Sequence, residues 1–247
     1  MKKLIIGNWK CNPLKPSEAL KIFNGIKKSA ENSKFAETII CPPNIFLKDL
    51  LDLKTKIKIG AQNCSATEEG AYTGEISAKM LKEIGCQYVI IGHSERRNLN
   101  HETNQEINQK LILALKNNLR PIFCLGENKK QRVDKLTFDV IKKQFQEGIK
   151  NIPESQFKKI IIAYEPIWSI GSGNFADPKQ IQEVKIFLLD LIKKKNKKTS
   201  VKIIYGGSVN SENVSDYFLK AEMDGVLVGG ASLNPLEFSK IINKAEN

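Results

Sequence analysis

The chain has 247 residues, 41% of them hydrophobic and 27% charged, which supplies a sizeable core and excludes a disordered chain. Its net charge of +12 raises the idea of sequence-independent binding to polyanions. The lysines are spread along most helical stretches, however, and the densest run, Lys193 to Lys198, has no interleaved aromatics. That pattern fits solvated helix ends, where cations meet the negative end of the helix dipole, and argues against a specific nucleic-acid surface.

In chain order, strand-like apolar runs fall at Leu4 to Ile6, Thr38 to Cys41, Ile57 to Ala61, Tyr88 to Ile91, Ile122 to Leu125, Ile160 to Ala163, Val201 to Tyr205 and Gly225 to Val228. Helical patterns lie between most of them. Thr103 and Glu106 form a capping box ahead of Ile107, Leu111, Ala114 and Leu115. Asp177-Pro178 reads as an N-cap and first-turn proline, with Gln180 placed to complete a box, ahead of Ile181, Val184, Leu188 and Leu191. Eight repeats of about 31 residues are what a closed (β/α)8 barrel requires, so the expectation is an α/β fold with one barrel domain over residues 1–247. A doubly wound open sheet is the competing architecture, but no G-x-G-x-x-G follows the first strand. One connector, residues 62–77, is too long and polar for an ordinary loop, and reads as an Ω-loop or a projection into a second subunit.

Five cysteines, none in a Cys-x-x-Cys pair, fit reduced thiols and a cytoplasmic setting. The N-terminal apolar run is too short for a signal h-region, and no membrane span is expected. With only two histidines in the chain, a metal centre is not expected either.

In a barrel of this kind, reactive side chains gather where strands hand over to the following loops. Those positions hold Asn8, Trp9 and Lys10 after the first strand, His93, Ser94 and Glu95 after the fourth, and Glu165 after the sixth. They also hold Gly206-Gly-Ser208 after the seventh and Gly229-Gly230 after the eighth. The two glycine turns each precede a predicted helix, where free N–H groups can hold a phosphate. With phosphate there, Glu165 can act as a base, His93 as a donor to a carbonyl, and Lys10 as a cation beside developing negative charge. This set suits proton abstraction next to a carbonyl. The absence of Gly-x-Ser-x-Gly argues against a serine hydrolase. After Glu165, Pro166 ends the strand, and Gly171 and Gly173 make a flexible segment with firm ends.

Gly7-Asn-Trp-Lys10, Gly92-His-Ser-Glu-Arg-Arg97, Ala163-Tyr-Glu-Pro-Ile-Trp168, Tyr205-Gly-Gly-Ser-Val209 and Val228-Gly-Gly-Ala231 stand in the order and at the spacing of one family's signatures. In these segments the chain resembles the triosephosphate isomerases nearly end to end. The resemblance implies a TIM barrel that interconverts dihydroxyacetone phosphate and D-glyceraldehyde 3-phosphate without a metal or organic cofactor. It implies that Glu165 moves the proton, that His93 polarises the carbonyl as a neutral imidazole at the positive end of a short helix opening at Ser94, and that Asn8 and Lys10 stabilise the enediolate. Glu95 would hold the Lys10 ammonium, and the N–H groups of Gly171, Ser208, Gly229 and Gly230 would grip the phosphate. The flexible segment would be a lid that keeps water from an enediolate able to expel its phosphate. Ser169 and Ser172 depart from the family's usual Ala and Thr. The resemblance also implies a homodimer built on the 62–77 loop, with Thr73 reaching the neighbour's Asn8, Lys10 and Glu95, and with Cys11 and Gln62 in the interface. The other readings are a different phosphosugar barrel, which the base and lid argue against, and a basic scaffold without catalysis, which the joint presence of Glu165, His93 and Lys10 argues against.

Overall fold

The computed structural model describes residues 2–170, 175–195 and 200–246. Its strands are β1 (Lys3–Asn8), β2 (Ala36–Cys41), β3 (Lys58–Ala61), β4 (Tyr88–Ile91), β5 (Arg120–Leu125), β6 (Ile161–Tyr164), β7 (Lys202–Tyr205) and β8 (Gly225–Val228). They follow one another in a closed, parallel, eight-stranded barrel. Closure comes from β1 pairing with β8, Leu4 opposite Gly225 and Gly7 opposite Val228. The outer layer holds α1 (Pro16–Asn32), α2 (Leu47–Leu51), α3 (Ala78–Glu83), α4 (Ser94–Leu99), α5 (Asn104–Lys116), α6 (Lys129–Val133), α7 (Thr137–Gly148), α8 (Pro178–Lys195), α9 (Val214–Leu219) and α10 (Pro235–Asn243).

The strands are short apolar runs because both their faces are covered. Inward-facing Leu4, Ile6, Ile39, Ile90, Ile122, Ile161, Ile204 and Leu227 fill the barrel. Their outward neighbours, such as Ile5, Ile40, Val89, Phe123 and Ile203, pack beneath the helices. Truncating one of these buried side chains to alanine typically costs about 2–5 kcal/mol. On α8 the predicted stripe of Ile181, Val184, Leu188 and Leu191 is buried, and the Asp177 carboxylate accepts the Lys179 N–H at its start. The Thr103 and Glu106 box at the start of α5 is present in both directions.

Three details depart from the sequence expectation. The helix after β7 begins only at Val214, because Asn210 and Asn213 bond each other's backbone and hold a turn open ahead of it. After β8 the chain makes a single 3-10 turn, Gly230–Leu233, where a regular helix was expected. Lys110 is not solvated like other helix lysines: it is buried on α5, its ammonium 2.5 Å from Glu102 and 2.9 Å from Asn63 Oδ1.

Candidate active site

Glu165 follows β6 directly and is 1% exposed. Its own N–H donates to the Leu125 carbonyl, which ties the residue to the end of β5. The fit is tight: a Cβ on Gly126 would lie 1.8 Å from the Glu165 carbonyl oxygen, and one on Gly206 would lie 2.8 Å from its Cγ. Glycine at both positions is therefore what allows the carboxylate its place. Oε2 accepts the Ser94 N–H at 2.9 Å. Oε1 is buried, lies 3.3 Å from His93 Nε2, and makes no hydrogen bond among the described residues. The His93 contact is close but misses hydrogen-bonding geometry, so one carboxylate oxygen keeps its hydrogen-bonding capacity unused.

His93 is the N-cap of α4, and its Nδ1 accepts the Glu95 N–H at 3.3 Å. A ring nitrogen that accepts a bond carries no proton, so the proton sits on Nε2, facing Glu165.

Lys10 has a positive φ of 54°, a conformation that costs a non-glycine residue energy unless its surroundings hold it there. Three bonds do so. Its N–H donates to Asn8 Oδ1 at 3.0 Å, its carbonyl accepts from Gln62 Nε2 at 2.8 Å, and its ammonium lies 2.5 Å from Glu95 Oε1. The Gln62 amide also donates to Cys41, so it is committed within its own chain.

Asn8, Lys10 and His93 line a cavity of about 250 Å³ whose other walls are Ile170, Phe175, residues 206–210 and residues 229–231. Ser208, Gly229 and Gly230 thus share one concavity with the polar cluster. A second cavity, of about 400 Å³, opens on the other side of Lys10 and Glu95. Cys11, Asn44, Gln62 and Gly74 are among its lining residues. Thr73 is exposed and Cys11 is an exposed free thiol. Gly171, the remaining predicted phosphate contact, and Ser172 lie outside the described residues. Among the described residues no group of three or more His, Cys, Asp or Glu side chains could hold a metal ion. No helix there is long and apolar enough to cross a membrane.

Residues 3–245 match the sequence model of a family described as Triosephosphate isomerase. The chain belongs to the triosephosphate isomerase family. It is 43% identical over 247 residues to the triosephosphate isomerase of Alkaliphilus oremlandii, covering 98% of this chain and 99% of that one. It is 43% identical over 245 residues to that of Caldanaerobacter subterraneus subsp. tengcongensis, with 97% and 98% covered. The Aquifex aeolicus triosephosphate isomerase is 42% identical over 246 residues, with 98% and 99% covered. Fold class and family thus agree with the sequence resemblance.

Beyond the signature segments of the triosephosphate isomerase family, sequence reasoning passed over Glu127. This carboxylate is fully buried, and it accepts from Trp168 Nε1 at 3.0 Å, from the Tyr164 hydroxyl at 3.2 Å and from Arg132 at 3.1 Å. It anchors the segment that leaves Glu165, and burial together with this negative charge holds the Tyr164 hydroxyl well above its usual pKa. The available signal was its place, two residues past the end of β5. Arg97 was also missed as a positioner: it donates to the carbonyls of Gly92 and Cys124 and to Asn104, pinning the turn that carries His93.

Proposed function

We infer that the chain interconverts dihydroxyacetone phosphate and D-glyceraldehyde 3-phosphate as an aldose-ketose isomerase, by proton transfer through an enediolate. The observation that carries the reading is the unbonded Glu165 Oε1 3.3 Å from His93 Nε2, packed directly behind His93 and Gly206, which line a cavity walled by two glycine turns. In the proposed sequence of steps the phosphate sits against Ser208, Gly229 and Gly230, which places the carbonyl carbon and its hydroxyl-bearing neighbour near Glu165. The carboxylate takes a proton from one carbon and returns it to its neighbour. His93 donates from Nε2 to the carbonyl oxygen and takes back the proton of the neighbouring hydroxyl, so that one proton passes between the two oxygens and the imidazole is restored, while the Lys10 ammonium, aimed by Glu95 and supported by Asn8, offsets the charge that develops there. No step needs a metal or an organic cofactor.

The chain is read as one domain over residues 1–247, working in the cytoplasm as a homodimer. The dimer reading is supported by the exposed tip of the 62–77 loop, residues 69–75, and by the cavity beside Lys10 and Glu95, which would receive Thr73 of a second copy. Cys11 and the Gln62 end of the loop would border that interface. The small phosphorylated triose is the only substrate class proposed, with no specific nucleic acid and no membrane partner.

The test is conversion of D-glyceraldehyde 3-phosphate by purified protein beside Glu165→Gln. Rapid turnover that collapses in the variant supports both the reaction and the base. A folded protein without turnover would sink the reading in favour of a barrel without catalysis.

A further inference from the structure

Three hydroxyls form a buried line behind the phosphate-side turn, and the steps above make no use of them. Ser169 Oγ lies 3.1 Å from the Tyr205 hydroxyl. The Tyr217 hydroxyl on α9 acts in turn on that of Tyr205, through a ring contact in which the two centroids lie 4.2 Å apart and the planes are tilted by 42°. Ser169 and Tyr205 are fully buried and Tyr217 is 1% exposed. A buried hydroxyl is tolerated only when it is bonded, and linked hydroxyls polarise one another, so the three hold their mutual geometry firmly.

The line does not stop at Ser169. Its backbone carbonyl accepts from Ser208 Oγ at 2.5 Å, and Ser208 belongs to the turn that walls the 250 Å³ cavity. A continuous path therefore runs from α9 through the end of β7 to the segment after Glu165, and back to the turn that faces the anion.

We propose that Ser169 and Tyr217 are positioning residues for phosphate: joined through Tyr205, they fix the Ser169 carbonyl, which holds Ser208 and the Gly206–Ser208 turn at the spacing a phosphoryl group needs. The proposal rests on the isomerase reading and adds residues that touch neither the substrate nor the reacting atoms. Alanine at 169 would remove one partner of Tyr205 and leave the carbonyl less constrained. Phenylalanine at 217 would do the same from the far end of the line. Misplacing a binding group by a fraction of an ångström is enough to weaken what it holds.

The experiment compares the parent chain with Ser169→Ala, Tyr217→Phe and the double variant in three readouts. These are the dissociation constant for inorganic phosphate by calorimetry, the KM and kcat for D-glyceraldehyde 3-phosphate, and the melting temperature. Each single variant is expected to bind phosphate about three- to tenfold more weakly, as for one lost hydrogen bond. KM should rise by a similar factor, kcat should move less, and Tm should fall by no more than about 4 °C. Because both hydroxyls act through one path, the double variant should be no weaker than the weaker single. Unchanged phosphate affinity in either single, losses that add in the double, or losses that appear only together with a collapse in Tm would each overturn the proposal. If the parent shows no isomerase turnover but the phosphate series behaves as described, the isomerase reading fails and the positioning path stands.

Discussion

The two ends of the barrel treat their polar groups differently. At the floor, where the strands begin, side chains are committed to the backbone or to one another. Lys3 donates to the Met223 carbonyl and Lys202 to that of Lys2, each at 2.7 Å, and Asp224 Oδ2 accepts the Ile203 N–H at 2.9 Å. Tyr88 donates to Glu37 while accepting from Arg120, whose guanidinium lies over the Tyr88 ring. At the mouth, where the strands end, groups are held in place but left with capacity to spare. Glu165 keeps one buried oxygen unbonded, His93 presents a protonated Nε2, and Lys10 adopts a strained backbone to aim its ammonium. Bonds at the floor stabilise the fold, whereas bonds at the mouth orient groups whose remaining valence is for something else.

That contrast is sharpest in Glu165→Gln, which keeps the side chain's shape and removes its basicity. Turnover should fall by about 10²–10⁴-fold, while stability is retained or improves, since an uncompensated buried oxygen is no longer charged. Equal losses of activity and stability would erase the distinction between the two ends. Thr73→Arg probes whether the mouth is completed by a second copy. Analytical ultracentrifugation should then show monomers, with activity down by about 10²-fold through misplacement of Lys10. A fully active monomer would separate the mouth from the dimer.

A floor variant should behave in the opposite way. Asp224→Ala strands the Ile203 N–H at the start of β7, which costs about 1–3 kcal/mol in urea unfolding, with kcat for the folded fraction unchanged. A drop in kcat without a loss of stability would show that the two ends are coupled through the strands.

Much of this division was legible in the sequence. The apolar runs at Tyr88 to Ile91 and Gly225 to Val228 coincide with β4 and β8, because a parallel strand covered on both faces must be continuously apolar. Polar residues just past the strand ends locate the mouth, so Glu165, His93 and Lys10 could be named before any coordinates. Other features were not local enough to read. β5 starts at Arg120, two residues before the apolar run, because Arg120 pairs with Tyr88 across the sheet. Glu127 and Lys110 are charges buried by partners distant in sequence, Trp168 and Tyr164 for the first and Glu102 and Asn63 for the second. No periodicity reports such pairings. The helix predicted after the β7 turn is present, but its start at Val214 was not legible, because Asn210 and Asn213 take backbone bonds ahead of it.

The smallest expected effect concerns pH at the floor. Burial lowers the pKa of the Lys3 ammonium from its ordinary 10.5, with Lys185 and Lys202 acting in the same direction and Asp224 opposing them. The folded chain therefore releases this proton at lower pH than the unfolded chain does, and between the two values the unfolded chain binds more protons. In that window stability must rise with pH; the benefit is complete above 10.5 and is lost as pH falls through the folded value. Lys3 is partly solvated, so the change should be modest. It is best read as a difference: in urea titrations from neutral pH to 10.5, the parent should gain stability relative to Lys3→Met, which lacks the titrating group. A difference that stays flat, or that runs the other way, would mean that the bond to Met223 outweighs desolvation and that this floor lysine is held as a favoured cation.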